Sequence, residues 1–274
     1  MTDDEDLEGT DERTATARPR DGASESPRSI DDFTREGALV DGKYRVERVI
    51  GAGGMGVVVA AMHLALGERV ALKFIKRGAA SADAIERMRR EARITFRLAG
   101  PHVARLLDVG DLPTGAPYLV MEHLAGEDLA RTLARRGPLP VTEAVDYVMQ
   151  ACDGVAEAHE LGVVHRDLKP SNLFLVSRKD GAPLVKVLDF GVAKARGLLG
   201  ESSDVTTASS VLGSPLYMSP EQVRGAKHVD AASDVWSLGV ILHELVAGAP
   251  PFARGPGSAV CAAIAADAPA RLRD

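Results

Sequence analysis

The feature that most constrains how this chain can fold is the segment HRDLKPSN at positions 165–172, followed by DFG at positions 189–191. The first motif supplies a carboxylate (Asp167), a lysine (Lys169) and an amide (Asn172), and the second opens with another carboxylate. Two predicted strands separate the motifs, so Asp167, Lys169 and Asn172 lie on one loop and Asp189 lies on another. A fold that brings both loops to one site is therefore expected.

Each motif has an ordinary interpretation when it is taken alone. An Asp in a loop is commonly a solvated turn residue, and DFG is a common tripeptide. Phosphoryl transfer, in contrast, needs this set of groups: a base that takes a hydroxyl proton, a cation that offsets charge on the transferring phosphoryl group, and two oxygen ligands for Mg²⁺. The order of the motifs, and the segments upstream of them, favour that chemistry.

A glycine-rich hairpin is predicted upstream. Residues 44–50, 57–60 and 69–75 have strand patterns. Because glycine lacks a Cβ, a glycine-rich connection can turn tightly and bring backbone N–H groups close to phosphate oxygens. A dinucleotide-binding turn would open a helix, whereas a strand follows here. The predicted phosphate-covering loop consists of Gly51, Ala52, Gly53, Gly54, Met55 and Gly56.

A charged pair is predicted beside this loop. Lys73 lies in an apolar strand, where a lysine needs a partner, and Glu91 lies in the middle of a helix predicted over 82–98. Glu91 could instead be a solvated surface residue that pairs with Arg87, a contact that stabilises a helix by only about 0.2–0.5 kcal/mol. The expected buried face of this helix consists of Ile85, Met88, Ala92, Thr95 and Phe96.

A second helix is predicted over 141–161, capped by Thr142 and ended by Gly162. Its expected buried stripe consists of Val145, Val148, Met149, Cys152, Val155 and Ala156. An apolar helix is also expected to begin at Asp234.

In this order the motifs resemble the catalytic domain of protein kinases, over residues 44–274. The resemblance implies an α+β, two-lobed fold with a small antiparallel-sheet N-lobe that carries one helix, over residues 44–121. A hinge over 122–126 and a mostly helical C-lobe over 127–274 would follow. The last helices of the family's C-lobe are expected to be missing.

The resemblance also implies a role for each motif. Asp167 would be the base, Lys169 would lie beside the γ-phosphate, and Asn172 and Asp189 would hold the metal. Lys73, paired with Glu91, would reach the α- and β-phosphates. The cofactors would be ATP and Mg²⁺, with Mn²⁺ as a substitute. The expected adenine pocket consists of Val58, Ala71, Met121, Glu122, Leu124 and Phe174.

By the same resemblance, a substrate-facing loop contains Ser214, Pro220 and Glu221, and Asp234 braces the catalytic loop. Ser214 stands where the family usually has Thr, Ser219 where it often has Ala, and Thr95 where it often has a large apolar residue. Arg166 would receive a phosphate on one of the preceding hydroxyls. These candidate acceptors are Thr206, Thr207, Ser209 and Ser210.

The expected absence of the late helices leads to a hypothesis about stability. The family pairs Glu221 with an Arg from a late helix, and a buried carboxylate without its cation costs about 3–5 kcal/mol. Apolar surface on the helix over 234–247 would also be uncovered. The chain is therefore expected to be a fragment or a defective domain, unstable or weakly active.

Composition narrows the remaining function classes. Residues 1–36 contain 12 acidic and 5 basic residues and are expected to form a disordered tail. That composition does not fit a signal or transit peptide, and no apolar stretch is long enough to span a bilayer. The modest basic content does not indicate a nucleic-acid-binding surface. The two cysteines and seven histidines do not have the spacing of metal ligands, and two cysteines are too few for a disulfide scaffold. A cytoplasmic location is the default expectation.

The predicted function is a serine/threonine protein kinase of bacterial type that acts on protein substrates, its own loop among them. One alternative is a small-molecule phosphotransferase of similar fold, but such enzymes typically lack the Lys two residues after the catalytic Asp and the Pro-Glu loop. The other alternative is a binding-only scaffold, silenced by truncation or by Thr95. The oligomeric state stays open.

Overall fold

The computed structural model describes residues 29–53, 56–75, 82–178, 180–190, 215–225 and 229–272, without the side chains at 82–84 and 87. The N-terminal half is built on a six-stranded antiparallel sheet of order β1-β2-β3-β4-β6-β5. Its elements are α1 (Ile30–Thr34), β1 (Leu39–Val40), β2 (Tyr44–Gly53), β3 (Gly56–His63), β4 (Glu68–Ile75), α2 (Ala82–Thr95), β5 (Leu106–Asp111) and β6 (Pro117–Glu122).

The C-terminal half is mostly helical, with a small antiparallel sheet of order β7-β8-β9 at the boundary between the halves. This arrangement confirms the two-lobed α+β fold. Its elements are β7 (Gly126–Asp128), α3 (Leu129–Arg136), α4 (Val141–Glu160), β8 (Leu173–Ser177), β9 (Pro183–Val187), α5 (Pro220–Val223), α6 (Ala231–Ala247) and α7 (Gly257–Ala266), with 3₁₀ turns at Pro170–Asn172 and Pro215–Tyr217.

The start of the folded part lies earlier than expected. Residues 29–36 were expected to belong to the disordered tail, but α1 is a helix with a capping box between Ser29 and Asp32. Phe33 is buried in the apolar cluster of the N-lobe sheet, beside Val40 and Tyr44. Only one aromatic side chain attaches the segment to the sheet, so its acidic composition suggests disorder although the segment is folded. Residues 1–28 lie outside the described residues.

Helix α4 has a different buried face from the predicted one. Val148 and Val155 are buried, but Met149 is 62% exposed, and Cys152 and Ala156 are exposed. The helix begins at Val141 after Pro140, which places Thr142 inside the first turn, where it makes no cap. The buried residues are Ala144, Tyr147, Val148, Ala151, Gly154, Val155 and Ala158.

Close approach of a neighbouring loop explains the small residues on this face. A Cβ at Gly154 would lie 2.5 Å from the carbonyl oxygen of His102, in the loop between α2 and β5. Glu157, one turn later, accepts hydrogen bonds from the backbone N–H groups of Ala99 and Gly100 at 2.9–3.1 Å. The α2–β5 loop of the N-lobe is therefore held on the C-lobe helix α4.

Helix α2 is shorter than predicted, and it ends at Thr95. Met88 and Ala92 are buried in an apolar cluster with Ile75 of β4, while Phe96 lies beyond the helix end and is exposed. Within the described residues, no helix has both the length and the apolar content that crossing a membrane requires.

The face of α6 expected to be uncovered is partly covered. Trp236 stacks on Phe252, with ring centroids 5.8 Å apart, in a cluster that includes Val260 and Ile264 of α7. Val235 remains largely exposed.

We predict opposite effects for the same substitution at two helical glycines. Gly154→Ala should lower the free energy of unfolding by about 1–3 kcal/mol, because the new methyl group overlaps the His102 carbonyl. Gly239→Ala in α6 has open space around the new Cβ and should stabilise by about 0.5–1 kcal/mol through helix propensity. Urea unfolding of both variants measures the difference, and equal effects would contradict the close packing of α4.

Candidate active site

A cleft of about 640 Å³ lies between the two lobes. The glycine-rich hairpin, Lys73, the catalytic loop and the residues around Asp189 all face it. Its lining consists of Ile50, Gly51, Ala52, Gly53, Gly56, Val58, Lys73, Asp128, Arg131, Lys169, Ser171, Asn172, Phe174, Leu188 and Asp189. The structure therefore brings the described glycines of the hairpin, Lys73, Lys169 and the two predicted metal ligands together in this cleft. Asp167 lines a second, smaller pocket with Arg166, and Glu91 is not part of either lining. Gly54 and Met55 lie outside the described residues.

The glycine-rich hairpin joins β2 to β3, so that a strand follows the glycines, as predicted. Gly56 has φ +153° and lies against β4, where a Cβ would overlap the carbonyl oxygen of Phe74. Only glycine fits this position. Because β3 pairs with β4 along its length, the hairpin lies directly above Lys73, whose register partner is Val58.

Lys73 forms a different ion pair from the one expected. Its side chain is buried, and its Nζ lies 2.6 Å from Oδ1 of Asp189. Among the described residues, that carboxylate, rather than the carboxylate of Glu91, is its ion-pair partner. Asp189 has a φ of +59°, and it lines the cleft together with Lys73. Glu91 is half-buried on α2.

Thr95, which stands where a large apolar residue was expected, is buried on α2. Its hydroxyl group neither donates nor accepts a hydrogen bond within the described part of the chain. A buried hydroxyl in that state costs about 1–3 kcal/mol. The packing of α2 against the sheet is therefore weaker at this turn than an aliphatic side chain would make it.

The catalytic loop is held by one buried carboxylate of α6. Asp234 accepts hydrogen bonds from the backbone N–H groups of His165 and Arg166, each at 2.8 Å. Its Oδ2 also lies 2.7 Å from Nε2 of His159 in α4. Arg166 has φ +64°, a conformation that these bonds hold in place. The expected bracing role of Asp234 matches this geometry.

His165 connects the catalytic loop to the segment that carries Asp189. Its ring is buried and lies edge-on to Phe190, with centroids 5.0 Å apart. Nε2 lies 2.7 Å from the carbonyl oxygen of Leu188, and the N–H of Asp167 donates to Nδ1 at 3.3 Å. These partners fit the neutral ring with its proton on Nε2. Burial lowers the pKa of His165 despite the Leu188 carbonyl and the nearby carboxylates.

The loop places the three predicted groups side by side. Nζ of Lys169 lies 3.2 Å from Oδ2 of Asp167. Nδ2 of Asn172 donates to the carbonyl oxygen of Asp167 at 2.7 Å, which leaves its amide oxygen as an acceptor in the cleft. With Asp189, this oxygen makes a hard donor set that fits Mg²⁺, an ion that keeps water and phosphate ligands besides one or two protein oxygens.

The expected adenine pocket is only partly at the cleft surface. Val58 and Phe174 line the cleft, and Ala71 lies opposite Met121 in the pairing of β4 with β6. Within the described residues, the backbone N–H of Leu124 donates no hydrogen bond to the protein. It is therefore available to a ligand.

Two charged cleft residues are not indicated by the sequence motifs. Asp128 caps α3 by accepting from the N–H of Arg131 at 2.9 Å, and both side chains line the cleft. An Asp directly before a helical pattern is an N-cap signal. The signal predicts the cap, but it does not predict that the cap lies at the mouth of a cleft.

The substrate-facing loop is anchored on the catalytic loop and on α6. Nε2 of Gln222 donates to the carbonyl oxygen of Arg166 at 3.0 Å, and the hydroxyl of Ser237 donates to the carbonyl oxygen of Tyr217 at 2.7 Å. Ser219 is buried, where the family often has Ala, and it caps α5 in a capping box with Gln222. Ser214 lies outside the described residues.

Glu221 does not carry the penalty expected of a carboxylate without its cation. It is half-buried, and it accepts a hydrogen bond from the hydroxyl of Ser233. Burial acts to raise the pKa of Glu221, but the hydrogen bonds from Ser233, its own backbone and Ser219 outweigh burial, so the pKa is lowered. Contrary to the expectation of an uncompensated carboxylate, hydroxyl and backbone donors among the described residues stabilise the charged form of Glu221, and the charge of Arg224 acts in the same direction.

The neutral state of His165 predicts a loss of stability in acid. Because its folded-state pKa is lowered, the unfolded chain binds more protons below the ordinary histidine value of about 6.5. Stability is then complete above that pH and falls as the pH drops below it. The free energy of unfolding of the wild type should decrease more steeply between about pH 6.5 and 5 than that of His165→Gln.

Urea unfolding at a series of pH values measures these slopes. His123, whose pKa is also lowered by burial and by Arg69 and Arg48, contributes with the same sign. A His123→Gln variant therefore measures the contribution of His123 separately, and the double variant His123→Gln/His165→Gln should have a shallower slope than either single variant. Identical slopes for the wild type and His165→Gln would show that His165 does not stay neutral in the folded protein.

Comparisons with known proteins agree with this site. A family model described as protein kinase domain matches residues 44–270. The chain is 42% identical over 217 residues to the serine/threonine-protein kinase pkn3 of Myxococcus xanthus. The matched region covers 79% of this chain and 40% of pkn3. The chain is also 40% identical to the serine/threonine-protein kinase PknA of Mycobacterium tuberculosis, covering 80% of this chain and 50% of PknA.

The fold comparison gives the same result. The crystal structure of the Mycobacterium tuberculosis PknI kinase domain superposes with a TM-score of 0.63 at 30% identity and covers 79% of this chain and 77% of that one. The chain spans half or less of the length of the two curated relatives above. Since the family model and these relatives match most of the chain, it belongs to the protein kinase domain family.

Proposed function

We propose that this chain transfers the γ-phosphoryl group of ATP to serine or threonine hydroxyls of proteins. The observation that carries the proposal is that two sets of polar and charged side chains meet at one cleft. Asp167, Lys169 and Asn172 lie together on the catalytic loop, and the Lys73–Asp189 ion pair lies opposite, under the glycine-rich hairpin. The relatives above, which carry the name serine/threonine-protein kinase, support the reaction class.

Asp167 acts as the base in this mechanism. Its carboxylate accepts the proton of the substrate hydroxyl as that oxygen attacks the γ-phosphorus, and the bond from phosphorus to the ADP oxygen breaks. Lys169, 3.2 Å from the same carboxylate, places a positive charge beside the transferring group. Both groups need the loop conformation that Asp234 holds.

Lys73 and the metal ligands hold the nucleotide phosphates. The buried ammonium group of Lys73 offsets charge on the α- and β-phosphates in a site of low dielectric constant. Asn172 and Asp189 would hold Mg²⁺, or Mn²⁺ with the same oxygen ligands, and the ion when bound neutralises charge on the β- and γ-phosphates. Glu91 is proposed to pair with Lys73 when Asp189 turns to the metal.

The hinge and the apolar walls of the cleft bind adenine. The N–H of Leu124 and the carbonyl group of Glu122 are proposed to meet the purine edge, between Val58 and Ala71 on one side and Phe174 on the other. Met121 lies behind them on β6. Such a slot, mostly apolar with a few directed polar groups, is typical of small-molecule sites.

Protein substrates are favoured over small molecules by the segment next to the base. The chain from Pro215 to Val223 packs on the catalytic loop, and Gln222 is bonded to the residue before Asp167. Pro220 and Glu221 belong to this segment, which presents a surface for an extended peptide. The binding-only alternative has no support, since Lys73, Lys169 and Asp189 line the cleft and the carboxylate of Asp167 lies 3.2 Å from Lys169.

Arg166 is proposed to regulate the enzyme. Its side chain is exposed, with one guanidinium nitrogen 3.4 Å from the carbonyl oxygen of Val229. A phosphate adds about −1.5 to −2 charge and can pair with such an arginine. The candidate acceptors, which lie outside the described residues together with Ser214, are Thr206, Thr207, Ser209 and Ser210.

We predict that Asp167→Asn lowers kcat by about 10²–10⁴-fold, because the amide cannot take the hydroxyl proton. ATP affinity should change little, since the nucleotide contacts remain. Transfer of labelled phosphate from ATP to a generic basic protein, with nucleotide titration in parallel, measures both quantities.

Asp153→Asn is the matched control, since that carboxylate is exposed on α4 and away from the cleft. Its turnover should equal that of the wild type. Full turnover in Asp167→Asn would contradict the assignment of the base. Transfer to a small molecule without transfer to protein would favour the phosphotransferase alternative.

A further inference from the structure

Lys186 is a buried lysine that the proposed mechanism does not use. It lies in β9 and is only 9% exposed. Its Nζ lies 2.7 Å from Oε1 of Glu122 and 3.2 Å from the carbonyl oxygen of Val103. A lysine is seldom buried this deeply unless its charge is matched. Here one carboxylate and one carbonyl group match it.

The carboxylate partner belongs to the hinge. Glu122 is the last residue of β6, and its Oε1 also accepts from the backbone N–H of Arg105 at 2.8 Å. The N–H of Glu122 donates to the carbonyl oxygen of Arg105 at 3.0 Å. The side chain and the backbone of Glu122 are therefore both tied to the α2–β5 loop, and Lys186 adds the connection to the C-lobe.

The lysine lies on the strand that leads to the phosphate site. In β9 the N–H of Val187 donates to the carbonyl oxygen of His102 at 2.8 Å, and the N–H of Ala104 donates to the carbonyl oxygen of Val187 at 3.0 Å. Asp189, the partner of Lys73, follows two residues later. Lys186 is thus the point where the hinge, the α2–β5 loop and the strand before Asp189 meet.

We infer that Lys186 is a positioning residue for nucleotide binding. By holding the carboxylate of Glu122, it fixes the hinge backbone at a set distance from β9, the strand that precedes Asp189. The adenine end and the phosphate end of the cleft are then held in one geometry. The inference rests on the proposed use of ATP, and Lys186 itself does not touch the nucleotide.

Burial makes the loss of one partner of this pair more costly than the loss of one partner of a surface ion pair. The side chains of Lys186 and Glu122 are only 11% and 25% exposed. Removing the lysine would leave a half-buried carboxylate beside the hinge without its cation, and the hinge would relax to rehydrate it. Small displacements of a binding group reduce productive binding strongly.

The test is the effect of Lys186→Met on ATP. Methionine keeps much of the stem but removes the charge. We expect the KM for ATP to rise about tenfold, which corresponds to ~1.4 kcal/mol of binding free energy. We expect kcat to stay within about twofold, because the catalytic loop is unchanged. Titration with ATP alone should show the same loss of affinity.

Matched variants separate positioning from general destabilisation. Glu122→Gln keeps an acceptor for the Arg105 N–H but removes the ion pair, so it should give the same rise, and the double variant should add little to either single one. Arg136→Met removes a cation bonded to Glu143 at 2.5 and 2.8 Å, away from the cleft, and should leave the KM for ATP unchanged.

The outcomes for these variants decide whether Lys186 positions the nucleotide site. An unchanged KM for ATP in Lys186→Met, additive effects in the double variant, or a fall in kcat alone would overturn the inference while the proposed function stands. Failure of the wild type to bind ATP would overturn both. If Lys186→Met does not fold, Glu122→Gln and Lys186→Arg carry the test, and Lys186→Arg should bind ATP like the wild type.

Discussion

The geometry of the site depends on the buried carboxylate of Asp234. Two backbone N–H groups of the catalytic loop and the imidazole of His159 converge on it. A carboxylate can be removed from water only if such donors satisfy it, and loss of one donor from a buried charge is costly. The left-handed conformation of Arg166, and with it the position of Asp167, follows from these bonds.

The C-lobe core holds Asp234 in turn. Helices α4 and α6 pack in one apolar cluster with β8 and β9, so His159 and Asp234, which contact each other beside the catalytic loop, are both on helices of the same core. His165 extends this unit to the strand before Asp189, and Lys186 extends it to the hinge. Asp167, Lys169 and Asp189 thus lie on loops, and the buried side chains of Asp234, His165 and Lys186 connect these loops and the hinge to helices and strands of the core.

Much of this site could be predicted from the sequence because its groups are close together in the chain. Asp167, Lys169 and Asn172 lie on one turn, and the glycines of the hairpin lie between two strand patterns. The partner of Lys73 could not be predicted, since Glu91 and Asp189 are both distant from it in sequence and only the tertiary structure shows which carboxylate lies beside the ammonium group.

The same limit applies to packing and to buried polar groups. The face of α4 was predicted from large apolar residues, but the contact with the His102 carbonyl selects small ones such as Gly154. The hydroxyl of Ser233, which satisfies Glu221, lies on another helix, and the lysine that holds Glu122 lies on another strand. Such partners depend on tertiary structure rather than on a local pattern.

The kcat of Asp234→Asn is the most direct measurement of whether Asp234 holds the catalytic loop in its active conformation. An amide presents only one acceptor oxygen to two N–H donors, so the catalytic loop should lose its conformation, and kcat should fall by at least about tenfold while ATP affinity stays within about twofold. Asp230→Asn, at the exposed cap of the same helix, should keep its kcat. Wild-type turnover in a folded Asp234→Asn variant would show that the catalytic loop does not depend on the carboxylate of Asp234.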